Sequence, residues 1–220
     1  MQETWTAVDH YLTDLLAPTD NALEAALRAS EAAGLPAINV APNQGKLLQL
    51  LARTQQARLI LEIGTLGGYS TIWLARALSP GGRLITLEAE RLHVDVAKEN
   101  IKKAGLADSV DIRFGPALDT LPIIAAEGHG PFDFIFIDAD KPNNPAYFEW
   151  AVKLSRPGTI IIVDNVVRDG AILDPNHDDP RVIGTRQFFD QLSRDTRVTA
   201  TALQTVGSKG YDGFVLAIVL

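Results

Sequence analysis

Between residues 58 and 164, short apolar runs alternate with stretches of helical periodicity, and this alternation restricts the fold more than any other feature of the chain. The runs are rich in β-branched and aromatic residues, as strands buried on both faces require. Five such strands joined by four helical crossovers predict a doubly wound, mostly parallel α/β sheet. The predicted strands are Leu59–Ile63, Arg83–Glu88, Val110–Phe114, Phe132–Asp138 and Thr159–Asp164.

Both flanks of the alternating region add elements to this sheet. Before it, helical patterns near residues 5–16, 21–33 and 44–54 predict extra N-terminal helices, a cap of residues 1–57. After it, a helix over about 180–194 precedes two strand-like runs separated by residues 207–210, which predict an antiparallel hairpin at the far edge of the sheet. The sequence therefore predicts a seven-stranded sheet in a single domain of residues 1–220, with residues 58–220 as its core.

Composition excludes several classes of function. The 220 residues are 46% hydrophobic, and they contain neither an apolar tract long enough for a membrane helix nor a basic-then-apolar leader, so we expect a cytoplasmic protein without a membrane partner. A net charge of -7 disfavours nucleic acid as a partner. The absence of cysteine excludes disulfides, thiolate metal sites and a cysteine nucleophile. Small-molecule chemistry is the remaining expectation.

Two of the predicted strands end in acidic residues. Asp138 ends one strand, with Lys141 three residues later, and Asp164 and Asn165 end the next strand along the chain. Neighbouring strands lie about 4.8 Å apart, so Asp138, Asp164 and Asn165 can converge on one hard cation. Oxygen ligands of this kind favour Mg²⁺, Mn²⁺ or Ca²⁺ over zinc or copper. Taken singly, each motif also fits a structural role, as a helix cap for Asp138 or a turn for Asp164 and Asn165.

The first predicted strand runs into a glycine turn that a helix follows at once. Gly64 lets the backbone pass close to a ligand, and the helix presents unpaired N–H groups. The dinucleotide pattern G-x-G-x-x-G needs glycine where this chain has Leu66, which disfavours a nicotinamide or flavin cofactor. Glu88 ends the next strand 24 positions after Gly64, the usual spacing for a carboxylate that accepts ribose hydroxyls. The segment predicts an adenosine-containing cofactor, although a purely structural glycine turn and an idle acid remain alternatives.

These motifs together resemble the cation-dependent, S-adenosylmethionine-dependent O-methyltransferases related to catechol and caffeoyl-CoA O-methyltransferase. The resemblance runs from about Ile38 to the end of the chain, and the two acidic motifs are specific to the metal-dependent branch. Its motifs are Leu61–Ser70, Glu88, Ile137–Lys141 and Val163–Asn165. The resemblance implies a Rossmann-like fold and a homodimer.

The resemblance also implies a role for each matched residue. Asp138, Asp164 and Asn165 would hold Mg²⁺, or Mn²⁺ or Ca²⁺ in its place, and Lys141 would be the general base. The acceptor would be a vicinal aromatic diol such as a hydroxycinnamoyl, flavonoid or simple catechol compound. The residues implied to surround S-adenosylmethionine are Asn39, Val40, Glu62, Gly64, Thr65, Gly68, Tyr69, Ser70, Glu88, Ala117 and Asp138.

Two other functions and two groups of weaker candidates stay open on the sequence. The alternatives are a nicotinamide-dependent oxidoreductase on the same fold and a catalytically inactive cofactor-binding module. An acidic stretch resembles a metal cluster but fits a solvated loop better: Asp174, His177, Asp178 and Asp179. Three aromatic residues are candidates to flank an aromatic substrate: Tyr147, Trp150 and Tyr211.

Overall fold

The computed structural model, which describes residues 1–220, contains seven β-strands and eight α-helices. The strands are β1 (Leu59–Ile63), β2 (Arg83–Glu88), β3 (Val110–Phe114), β4 (Phe132–Ile137), β5 (Ser155–Asp164), β6 (Val198–Gly207) and β7 (Gly210–Val219). The helices are α1 (Gln2–Leu16), α2 (Asn21–Ala32), α3 (Pro42–Thr54), α4 (Tyr69–Ala75), α5 (Arg91–Lys103), α6 (Ala117–Ala126), α7 (Asn144–Lys153) and α8 (Pro180–Leu192). Short 3₁₀ turns cover Lys141–Asn143 and Arg168–Leu173.

All seven strands form one sheet in the order β3-β2-β1-β4-β5-β7-β6. The first five strands pair in parallel, whereas β7 pairs antiparallel with both β5 and β6. The predicted mostly parallel, doubly wound sheet with a C-terminal antiparallel hairpin is thereby confirmed. After β3 the chain crosses back to the other side of β1, so the strand order switches between β1 and β4. The crevice at such a switch point is where α/β sheets of this kind bind ligands.

Helices cover both faces of the sheet, and each face has its own apolar core. Alternation along the buried strands produces this division: on β4, Phe134 and Phe136 belong to one core, whereas Ile135 and Ile137 belong to the other. Residues of α2 to α5 complete the first core, and residues of α6 to α8 complete the second. Because both faces are covered, the sheet is rigid and functional groups gather at its strand ends.

The N-terminal helices pack less evenly than the rest. Both α2 and α3 bury residues in the core on the sheet's first side, where α2 packs on α4 and α5 and α3 packs on α4, but α1 has no buried residue and lies beside β6 and α3. Asp20 caps α2 by accepting hydrogen bonds from the backbone N–H groups of Ala22 and Leu23, both at 3.0 Å. None of the eight helices combines the length and the apolar character that crossing a bilayer requires.

Candidate active site

A cavity of about 470 Å³ opens at the carboxyl ends of β1, β2, β4 and β5. One end is lined by the turn after β1 together with Glu88, and the other by residues that follow β4 and β5. The parallel pairing of β1 with β4 and of β4 with β5 brings these strand ends side by side. Two groups that the sequence places far apart, the glycine turn and the acidic motifs, therefore share one cavity.

The glycine turn passes directly over the end of β4. Gly64 has a φ of +101°, and a Cβ at this position would overlap the carbonyl oxygen of Asp138. The backbone N–H of Asp138 donates to the Ile63 carbonyl at 2.8 Å, which fixes the approach from the other side. Gly68, with a φ of +83°, begins α4 in the left-handed region. Only glycine allows this path, so the turn needs its glycines for conformation as well as for space around a ligand.

Glu88 lines the cavity, and its carboxylate also ties the glycine turn to β2. One carboxylate oxygen accepts from the backbone N–H of Thr65 at 3.2 Å and from that of Leu66 at 2.7 Å. The other accepts from the N–H of Glu90 at 3.0 Å and lies 3.3 Å from the His93 ring. Glu88 is 9% exposed and lines the cavity where the sequence predicts ribose hydroxyls.

Glu62 lies beneath the cavity and not on its wall. Its fully buried carboxylate accepts hydrogen bonds from Ser70 at 2.6 Å, Thr71 at 2.5 Å and Thr86 at 2.7 Å. Burial, opposed by these hydrogen bonds, raises the pKa of Glu62 to about 7, and the nearby charge of Asp138 adds to the rise. Ser70 does line the cavity. We therefore expect Glu62 to act on a bound ligand through the position of Ser70.

The two acidic strand ends are adjacent, as the sequence predicts. Ile137 on β4 pairs with Val163 on β5, so Asp138 and Asp164 follow at the next register position. Burial, and after it the charge of Asp138, raises the pKa of Asp164 to about 7. Asn165 follows with a φ of +55°, in the left-handed region that asparagine tolerates better than most residues. Asp138 and Asn165 therefore line the cavity at neighbouring strand ends, and the Asp164 carboxylate is buried next to them.

A glutamine from α3 completes the surroundings of Asp164. Gln44 donates from Nε2 to Asp164 Oδ2 at 2.6 Å, and the backbone N–H of Asn165 donates to Oδ1 at 2.8 Å. The side chain of Asp164 has no cationic partner, and the charge of Lys141 acts on it only from a distance. The sequence offered no reason to single out Gln44, because its partner is 120 residues away.

Lys141 is the one buried lysine, and it lies beside the acidic pair. Its ammonium nitrogen is 2.8 Å from Asp138 Oδ1, and the residue is 5% exposed. The 3₁₀ turn that carries it is held from behind by Gly184 on α8, where a Cβ would overlap the backbone of Lys141 and Pro142. A buried charge needs such a partner, so the pair fixes the amine at the cavity wall.

The cavity contains most, but not all, of the residues that the sequence predicted for the cofactor. Gly68 and Glu62 are absent from its wall, and so is Asp164 among the metal candidates. The predicted residues that do line it are Asn39, Val40, Gly64, Thr65, Tyr69, Ser70, Glu88, Ala117, Asp138, Lys141 and Asn165. Lining residues that the sequence reasoning missed include Ile38, Leu66, His93, Arg168 and Arg181.

Of the aromatic and acidic residues that the sequence offers as weaker candidates, the structure places only Tyr147 on the cavity wall. Tyr147 lines the cavity and donates to Asp140, whereas Trp150 and Tyr211 do not line it. In the acidic loop, Asp179 caps α8 and pairs with Arg181. No group of three or more His, Cys, Asp or Glu side chains is arranged to hold a metal ion. The solvated-loop interpretation of residues 174–179 therefore fits the structure, and any cation at Asp138 and Asp164 would need amide and water ligands as well.

Comparison with known proteins places this architecture among methyltransferases. A family model described as O-methyltransferase matches residues 16–218. A catechol O-methyltransferase from Niastella koreensis is 58% identical over 217 residues, which covers 99% of this chain and 98% of that protein. A catechol O-methyltransferase from Mycobacterium tuberculosis is 53% identical over 212 residues, which covers 96% of this chain and 94% of that protein. The crystal structure of an O-methyltransferase from Bacillus cereus in complex with SAH matches with a TM-score of 0.99 and 63% identity, over 100% of both chains.

Proposed function

Because this chain belongs to the O-methyltransferase family, we propose that it transfers the methyl group of S-adenosylmethionine to one hydroxyl of a catechol-type acceptor, with a divalent cation in the site. The family that the sequence motifs resemble is confirmed, and the nicotinamide-dependent alternative has no further support. The acceptor, the cation and the residue roles are our proposals. The proposed acceptors are hydroxycinnamoyl, flavonoid and simple catechol compounds.

The donor end of the cavity supports binding of a nucleoside. The turn after Gly64 brings backbone close to the ligand. Glu88 presents a carboxylate that the backbone N–H groups of Thr65, Leu66 and Glu90 hold in position. Asn39 and Val40 face this end from the segment before α3, and Ala117 faces it from the start of α6. The Bacillus cereus relative was crystallised with SAH, and we propose the same class of ligand here.

The residues between the strand ends fit a hard divalent cation. Asp164 is 4% exposed, and the charge of Asp138 further disfavours its ionisation, so the two carboxylates are stable together only when positive charge is added. Lys141 pairs directly with Asp138, and its charge acts on Asp164 only from a distance. Two carboxylates and one amide leave room for water or for both hydroxyls of a diol, as Mg²⁺ sites commonly do. When bound, the cation would acidify one acceptor hydroxyl and fix its direction.

Lys141 is placed to take the acceptor's proton. Its amine lies 2.8 Å from Asp138 Oδ1, on the wall that the acceptor would face. Lys141 would enter the proposed step as the neutral amine, because a bound cation would take over the charge balance at Asp138 and the ammonium proton would leave to solvent. In this step a bond forms between the acceptor oxygen and the methyl carbon, the carbon–sulfur bond breaks, and the hydroxyl proton passes to the Lys141 amine. The cationic sulfonium becomes a neutral thioether, and the lysine gains the positive charge. Holding donor and acceptor in line is the protein's main contribution.

One observation carries this proposal more than any other. Asp138, Lys141 and Asn165 line the same cavity as the glycine turn and Glu88, although these residues lie at the ends of four different strands. Structural roles explain either group by itself. They do not explain why a nucleoside-type turn faces a candidate cation site across a cavity of about 470 Å³. A catalytically inactive module would have no need of the lysine.

The test is methylation of a panel of catechols by the purified protein with S-adenosylmethionine, in Mg²⁺ or in EDTA, with products identified by mass spectrometry. We expect product only with metal, and a loss of at least about 100-fold in kcat/KM for Asp138→Ala and Lys141→Ala. Lys153→Ala, which removes an exposed lysine over the Trp150 ring, is the matched control and should keep its activity.

Each part of the proposal fails on a different result. Full activity in EDTA would contradict the cation, and unchanged activity in Lys141→Ala would contradict the base. Calorimetric binding of S-adenosylmethionine without methylation of any catechol in Mg²⁺ would instead favour the inactive cofactor-binding module.

A further inference from the structure

We propose that the acceptor carries a carboxylate on its aromatic ring or side chain, and that Arg168 binds this group. The inference rests on the proposed function, because it describes the acceptor end of the same cavity. It narrows the acceptor from catechols in general to catechol acids of the benzoate or cinnamate type.

Arg168 is a cation on the cavity wall without a partner. Its only hydrogen bond is through the backbone N–H, and its guanidinium makes no ion pair with any residue of the chain. Arg181, the other arginine on the wall, is by contrast held by Asp179, with Nε 3.0 Å from both carboxylate oxygens. An arginine with five free donors in a fixed fork is suited to a planar carboxylate.

The backbone that carries Arg168 is fixed in an unfavourable conformation. Arg168 and Asp169 both have a φ of +55°, which residues with a Cβ rarely adopt. One oxygen of Asp212 holds the segment by accepting from the backbone N–H groups of Val167 at 2.9 Å and Arg168 at 3.0 Å. It also accepts from Gly213 at 2.9 Å. Strain that the surroundings maintain in this way is common at ligand-binding positions, and here it directs the chain along the cavity.

The acids around Arg168 are already engaged. Hydrogen bonds from Arg181 lower the pKa of Asp179 to about 2, and the charge of Arg168 adds only the last and smallest contribution. Asp140 accepts from Tyr147 and from Asn143, and Asp138 pairs with Lys141. The remaining charge of Arg168 is therefore available to a ligand.

Arg168 also stands at the correct end of the cavity. It follows Asn165 by three residues after β5, whereas Glu88 ends β2, three strands away in the sheet order. At about 4.8 Å per strand, roughly 14 Å separate the donor end from Arg168. Asp138 and Lys141, at the end of β4, lie between them. A ring whose hydroxyls face Asp138 and Asn165 can therefore direct a substituent on its far side toward Arg168.

The test compares 3,4-dihydroxybenzoate with its methyl ester, which has the same diol but no charge. We expect the wild type to favour the acid at least tenfold in kcat/KM. Arg168→Gln should reduce that preference by about 10- to 100-fold through the KM of the acid, as loss of a charged hydrogen-bonded pair predicts, with little change for the ester. Arg168→Lys should restore part of it. Arg194→Gln removes an exposed arginine without any side-chain partner and is the control for net charge.

Equilibrium binding gives a second readout that does not depend on turnover. Calorimetry on the SAH complex should show weaker binding of 3,4-dihydroxybenzoate in Arg168→Gln and unchanged binding in Arg194→Gln. Equal effects of Arg168→Gln on acid and ester, or a wild type that favours the ester, would overturn the inference and leave the proposed function standing. A wild type that methylates neither diol would overturn this inference, and the proposed function would fall with it if no other catechol of the panel were methylated.

Discussion

At the scale of single residues, Gln44 shows how the proposed cation site depends on a side chain outside the ligand set. Its amide donates to Asp164 Oδ2 at 2.6 Å and so sets the direction of that carboxylate. Partners of this kind change metal affinity by about 10- to 100-fold when they are removed. The substitution Gln44→Met removes the hydrogen-bond donor of this side chain and keeps its volume.

We expect Gln44→Met to weaken Mg²⁺ and Mn²⁺ binding by at least about tenfold in calorimetry. Gln49→Met is the matched control. Gln49 is a buried glutamine of the same helix, and its side-chain oxygen accepts a hydrogen bond from Lys46 rather than from a residue of the site. Equal cation affinity in the two variants would contradict a positioning role for Gln44.

Glu62 gives a pH prediction. Its pKa is about 7 in the folded protein, raised chiefly by burial, against an ordinary value of 4.5. Between these two values the folded state binds the proton more tightly than the unfolded state, so stability falls as pH rises through this window and the cost persists above pH 7. Glu62→Gln removes the titration. The free energy of unfolding of the wild type minus that of the variant should therefore be lower at pH 8 than at pH 5, by about 3 kcal/mol.

Urea unfolding of both proteins at the two pH values measures this difference. A difference that stays constant between pH 5 and pH 8 would show that Glu62 is not buried as a protonated group at low pH. The variant's own stability is not the readout, because glutamine cannot accept all three hydroxyl hydrogen bonds.

Residues at strand ends could be predicted from the sequence, and residues that reach the site from elsewhere could not. Asp138 and Asp164 follow directly after apolar runs, so their place at the sheet's carboxyl edge follows from the pattern. Gln44 and Arg168 have no such marker. Their positions depend on how α3 packs and on how Asp212 holds the loop after β5. The apolar periodicity of the sequence predicts neither of these contacts.

At the scale of elements, buried strands were predicted better than helix ends. The predicted bounds of β1, β2 and β3 agree with the structure, because apolar runs covered on both faces begin and end abruptly. The helix predicted near residues 44–54 begins two residues earlier, at Pro42. After the glycine turn, α4 ends at Ala75, since the backbone N–H groups of Ala77 and Leu78 bond to carbonyls three residues back and close a tighter turn. β5 begins at Ser155, four residues before the predicted start, because Ser155 pairs with Phe132 across an irregular register.

The loop over residues 166–180 has no apolar periodicity in the sequence, and the structure shows what shapes it instead. Its 3₁₀ turn, Arg168–Leu173, has no apolar period and is interrupted by positive φ values. Bonds to Asp212 hold its start, and Arg186 of α8 donates to the Ile172 carbonyl at 2.6 Å. Long-range contacts from polar side chains shape this segment, and a single sequence does not reveal them.

An apolar stripe on α1 has nothing covering it. The residues recur at helical spacing, and all are exposed: Val8, Tyr11, Leu12, Leu15 and Leu16. The neighbouring edge strand β6 exposes Leu203 and Val206 as well. A stripe of this size usually marks an interface, so we propose that the two elements form the contact of a homodimer.

Light scattering after size exclusion should therefore give twice the chain mass of 23.8 kDa. Leu15→Asp should shift the protein toward single chains, because it places a charge in the middle of the stripe. Leu173→Asp, at a more exposed leucine in the loop after β5, should not. A wild type that elutes with the mass of one chain at tens of micromolar would contradict the homodimer.

At the scale of the whole molecule, the sheet order brings the proposed site together. Donor residues come from the first half of the chain and acceptor residues from the second, and the adjacency of β1 and β4 joins them. The sequence predicted both halves from separate motifs. The two halves share a cavity because of the order in which the strands pair. The motifs themselves do not specify this order, but the alternation of strands and helices favours it.

The most direct test of the central claim, a cation held between two strand ends beside the methyl donor, is a Mn²⁺ titration of the SAH complex followed by electron paramagnetic resonance. We expect one tightly bound Mn²⁺ per chain in the wild type and none in Asp164→Asn. This variant should stay folded, because it removes a carboxylate that is costly to bury and keeps its shape. Equal Mn²⁺ binding by the folded Asp164→Asn variant would contradict the account.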